Sequence, residues 1–123
     1  MLVYHGTFNN PSPDIKPKFV SPSFKFAHWF ASVAVDKGEP FWVVEFQLSR
    51  IHTIIDVSTI WDVQKQNSSW QEIEKKEETI KCFAIALNKS PVGVWMTENK
   101  EPTILLFEPE KSLQFVGIEK FIL

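Results

Sequence analysis

A chain of 123 residues with 44% hydrophobic and 14% aromatic side chains carries enough apolar surface for one domain with its own core. Thirteen basic residues against fifteen acidic ones, with the signs interspersed and a formal net charge of -2, give no electrostatic reason to grip nucleic acid. Cys82 is the only cysteine, which excludes an internal disulfide, and no His/Cys spacing resembles a zinc site, so no metal is expected.

The chain opens on Met1-Leu2-Val3-Tyr4-His5-Gly6-Thr7, a short apolar run that delivers an imidazole and then a glycine. It reads as a strand ending where backbone comes close to something, which makes His5 and Gly6 the first functional pair. Residues 9–17, rich in Pro and Asx, form a loop over that strand's end. Lys18 to Val20 gives a brief strand, and Ser21 or Ser23 caps the helix that follows, with Pro22 tolerable in its first turn. Ala27, Phe30, Ala31 and Ala34 fall at helical spacing, so one face of this helix is small and close-packing. Lys37-Gly38 ends it.

Phe41 to Leu48 is the clearest strand, apolar enough in its first half to be central. A turn at Ser49-Arg50 leads to a second strand, His52 to Val57. Ser58 caps a short helix through Ile60, Trp61 and Val63, a loop follows at 64–68, and Ser69 to Glu72 has capping-box spacing. Ile73, Ile80, Ala84 and Leu87 share one face of a second long helix, closed by Asn88 to Pro91. Val92 to Thr97 and Thr103 to Phe107 form a hairpin around Asn99-Lys100, broken by residues 108–111. Two last strands, Leu113 to Val116 and Ile118 to Leu123, complete the count. Strands separated by two main helices without regular alternation argue an α+β domain with two packed, mainly antiparallel sheets or one split sheet. No charged leader and no apolar run of membrane-spanning length is present, so a soluble, cytoplasmic domain is expected.

The residues that could carry chemistry are few. There is no Gly-rich phosphate loop and no nucleophile elbow. The glutamates between Glu72 and Glu78 lie among lysines on a solvated helix face, and His52 satisfies a local hydrogen bond. His28 either faces solvent or edges a pocket. Two segments remain: Tyr4-His5-Gly6-Thr7, and Ala27-His28-Trp29-Phe30-Ala31 on a helix entered from a strand.

In that order they resemble the ADP-ribosyltransferase superfamily, in its diphtheria-toxin and poly-ADP-ribose-polymerase branch. The resemblance covers the whole chain in order of elements and specific residues in those two segments. It implies a small ADP-ribosyltransferase-like fold and NAD as substrate. Breaking the nicotinamide–ribose bond passes through an oxocarbenium-like species, so a protein must hold the ribose, stabilise positive charge and exclude water. A neutral His5 can bond a ribose hydroxyl, the Gly6 backbone can approach the carboxamide, Thr7 can add a hydroxyl, and Trp29 or Phe30 can stack on nicotinamide. Ser21 falls among the NAD-binding residues on the same ground. Such families place a glutamate immediately before a late apolar strand, where this chain has Thr103. Glu101, on the same strand face as Thr103, is the expected acid, with Glu98 in reserve.

The resemblance implies mono-ADP-ribosyl transfer to a macromolecular target, expected to be protein, and a stand-alone domain of this kind looks like a bacterial or phage effector or toxin. One rival is an inactive relative that binds or inhibits. Another, an RNA 2′-phosphotransferase, would need basic phosphate contacts, and Arg50 is the only arginine.

Overall fold

The computed structural model describes residues 1–57, 70–98 and 101–123. The helix expected after Ser58, the loop at 64–68, the cap at Ser69 and the turn at Asn99-Lys100 lie outside these residues.

Strand β3 (Pro40–Leu48) is central, as its composition implies, because both of its faces are covered. Val44, Phe46 and Leu48 point into a core between two sheets. Phe41 and Val43 alternate to the opposite face and are also buried. On either side of β3 run β1 (Leu2–Thr7) and β7 (Leu113–Ile122), both antiparallel, giving a three-stranded sheet in the order β1-β3-β7. A second sheet of four strands has the order β2-β6-β5-β4, from β2 (Phe19–Val20), β4 (Ile54–Asp56), β5 (Gly93–Glu98) and β6 (Glu101–Leu106). The β4–β5 pair is parallel; the others are antiparallel.

Val3 of the first sheet and Val20, Ile104 and Leu106 of the second complete the inter-sheet core. Fully burying each such side chain contributes about 1.5–3 kcal/mol. Helix α1 (Phe24–Ser32) packs on the outer face of the first sheet against β1 and β3. The outer face of the second sheet carries α2 (Trp70–Lys75) and α3 (Glu77–Leu87), whose Ile73, Ile80 and Ala84 meet Val94, Met96 and Leu105. The domain is therefore α+β, with helices outside two sheets. The sheets touch edge to edge at one point, where Tyr4 and Ser21 exchange backbone bonds of 2.7 and 2.9 Å.

Several boundaries differ from expectation. Ser23, not Ser21, caps α1, its hydroxyl accepting from the Phe26 amide at 3.1 Å. The helix stops at Ser32, and Gly38, at φ 89°, belongs to the turn into β3. His52 lies in a 3-10 turn, Ile51–Thr53, because Arg50 adopts a left-handed conformation (φ 57°) that delays the strand. The second long helix is two helices, broken at Lys76. A four-residue helix, α4 (Pro109–Ser112), follows β6. The last two expected strands are one, β7, in which Val116 is an extra residue: Phe46 pairs with Phe115 and Glu45 with Gly117. β7 ends the sheet order, so its outer edge has no strand beside it among the described residues, and Glu119 and Lys120 lie on it.

No helix among the described residues is long and apolar enough to cross a membrane.

Candidate active site

The end of β1, the short β2 and the exposed end of α1 enclose a cleft of about 470 Å³. His5, Gly6 and Thr7 line it from the strand, Ser21 from the chain after β2, Phe26 and Phe30 from the helix, and Thr103 from β6. Its walls are mostly apolar, and no Asp, Glu, Lys or Arg lines it among the described residues. The volume lies within the roughly 300–1,000 Å³ of small-molecule sites.

His5 is fixed by one hydrogen bond. Its Nδ1 lies 2.9 Å from the Phe19 carbonyl oxygen, which only accepts, so Nδ1 carries the proton. Burial holds the imidazole below its usual pKa, against the raising effect of that carbonyl. The ring is therefore neutral at pH 7, and Nε2 is left as an acceptor.

Gly6 answers to two demands. A Cβ built on it would stand 2.0 Å from the Ala27 carbonyl oxygen and 3.0 Å from the Ala31 Cβ, so α1 can approach β1 only across a glycine. The close approach read from the sequence is thus first an approach of helix to strand. The second demand concerns the backbone. Tyr4 turns both its amide and its carbonyl to Ser21, away from β3. Direction alternates along a strand, so Gly6 turns its own pair to the same side as Tyr4, away from β3. There the two groups have no partner among the described residues.

The other expected residues divide. Phe30 is half-buried in the cleft wall, one turn from Phe26 with ring centroids 6.2 Å apart. Thr7 reaches the rim, but its hydroxyl is tied into a local turn with the Asn9 amide and carbonyl at 3.2 and 3.4 Å. The Ser21 hydroxyl donates to the Pro102 carbonyl at 2.7 Å and accepts from the Ser23 amide at 3.1 Å, so it ties β2 to the late hairpin.

Trp29 and Glu101 do not line this cleft. With Lys25 and Phe26 they line a separate depression of about 420 Å³, Trp29 exposed and stacked on Phe26 at 5.9 Å. Phe26 borders both spaces and separates the acid from the imidazole. Glu98 pairs with Glu101 across the hairpin, and its side chain lies outside the described part. No group of three or more His, Cys, Asp or Glu suited to a metal occurs among the described residues.

Phe26 is the residue that sequence reasoning passed over. It precedes Phe30 by four positions, so helical spacing alone places the two rings on one face. The Thr103 hydroxyl, buried without a hydrogen-bond partner among the described residues, carries no sequence signal beyond its position before an apolar strand. Comparison with protein families, with curated proteins and with solved structures returns no match.

Proposed function

We propose that the domain binds NAD in the cleft beside His5 and Gly6 and transfers its ADP-ribose to a macromolecular acceptor, in the first instance a protein. The observation that carries this reading is the outward-turned amide and carbonyl of Gly6 beside an imidazole whose bare nitrogen accepts. A carboxamide offers the complementary pair, an N–H donor and a carbonyl acceptor. In this reading nicotinamide bonds Gly6 through that pair and packs against Phe30, and His5 Nε2 accepts from a ribose hydroxyl. The C–N bond to ribose breaks with its electrons leaving on nicotinamide, and the acceptor's nucleophile closes on the anomeric carbon. Glu101, across Phe26 from the cleft, serves the acceptor side and takes the nucleophile's proton.

A second reading is a module that binds NAD and transfers nothing. The absence of a carboxylate from the cleft walls among the described residues favours it.

Calorimetric titration with NAD and a nicotinamide-release assay test both on wild type, His5→Ala and Glu101→Gln. The transferase reading expects binding and release by wild type. His5→Ala then loses at least tenfold in affinity with its circular dichroism unchanged. Glu101→Gln binds normally and falls about 10²–10⁴-fold in release, the usual share of a general base. Binding without release by wild type supports the second reading. A wild type that does not bind NAD ends both.

A further inference from the structure

We propose that a second cavity, at the opposite end of β3 and β6 from the cleft, is a binding site for one phosphomonoester group. This cavity of about 210 Å³ lies where the chain leaves β3 at Arg50, passes along α3 at Lys81, turns at Lys89 and Ser90, and leaves β6 at Glu108 before Lys111 on α4. Four cations from four separate segments meet around it, in a chain whose overall charge is -2. Their convergence therefore runs against the sign of the whole molecule.

The resident anion does not satisfy them. Glu108 pairs with Lys111 at 2.7 Å, and its carboxyl is held below the usual carboxylate range first by that lysine and then by the fields of Lys81 and Arg50. Four cations less one carboxylate leave a formal +3 on the lining, since Glu110, which acts on Lys111, does not line the cavity. Lys81 and Lys89 have no ion pair or hydrogen bond among the described residues. Arg50 is pinned by a bond from its guanidinium to the Ser90 carbonyl, which leaves further N–H donors of the fork available. Val92 and Phe107 on the lining are buried, whereas Arg50, Lys89 and Lys111 are exposed, with Lys89 free to reorient toward an anion.

Size and direction select the ligand. The space suits one compact group, too small for a peptide segment, and cations arriving from several sides match the three acceptor oxygens and near-double charge of a phosphomonoester better than a planar carboxylate. The group could come from a phosphorylated protein side chain or from a free phosphate ester, and the two sources share this chemistry.

The test is calorimetric titration of the full chain with inorganic phosphate and with a phosphoserine peptide, against its unphosphorylated form, at constant ionic strength. The proposal expects one saturable site for a phosphoryl probe. Lys81→Gln and Lys89→Gln each weaken it about tenfold, the loss of one charge-assisted bond. Glu108→Gln tightens it. Tighter binding of the phosphopeptide assigns the site to a protein partner, and tighter binding of inorganic phosphate assigns it to a free ester. NAD titration of the same variants, expected to match wild type, keeps this result separate from the fate of the cleft. No saturation by either probe, or unchanged affinity in folded Lys81→Gln and Lys89→Gln, overturns the proposal.

Discussion

Thr103 is 3% exposed, and its hydroxyl has no hydrogen-bond partner among the described residues. An unsatisfied buried hydroxyl costs about 1–3 kcal/mol relative to a satisfied one. Thr103→Val keeps the branched shape and removes the orphan, so it should raise unfolding free energy by about 1 kcal/mol, read as a higher denaturant midpoint at unchanged slope. A lower midpoint would mean that the hydroxyl does hold a bond in solution. At this scale the sequence was informative about type and silent about neighbours. His5 and Gly6 stand out by their order at the end of an apolar strand, and both line the cleft. That Thr7 and Ser21 spend their hydroxyls on Asn9, Pro102 and Ser23 depends on how loops fold back, which spacing does not encode.

Between elements, the contact of β1 with α1 is decided by Gly6. Its missing Cβ would meet helix backbone, which cannot rotate aside as a flexible side chain could. Gly6→Ala must push α1 away and should cost at least the 1–3 kcal/mol or so of ordinary overpacking, measured by chemical denaturation. Stability within experimental error of wild type would count against the packing described for α1. The small face of that helix, Ala27 and Ala31, is legible from helical spacing alone, and so is β3 from its apolar run. What the pattern could not supply were departures made by single residues. Arg50 in a left-handed conformation displaces the start of β4, and Val116 as a bulge lets β7 continue where two strands would be read. The separation of Glu101 from His5 has the same origin, since it depends on where one ring, Phe26, comes to rest between two spaces.

For the whole molecule, His5 links stability to pH. Its native pKa lies below the ordinary 6.5, so between the two values the unfolded chain holds a proton that the native state lacks. This contribution is fully present above about pH 6.5 and is lost as pH falls toward the native value. His5→Gln should flatten that part of the stability–pH curve relative to wild type, with denaturation series from pH 7.5 down to about 5 as the measurement. An unchanged slope would show that the ring is not held neutral. Beyond the single copy, the margin of β7, which has no neighbouring strand among the described residues, bears on what happens when two molecules meet. Antiparallel addition of one β7 to another aligns residues of equal parity, so a junction centred on Glu119 sets carboxylate against carboxylate, and one centred on Lys120 sets ammonium against ammonium. Those two docking registers repel, so β7 carries its own deterrent to fibre-like growth.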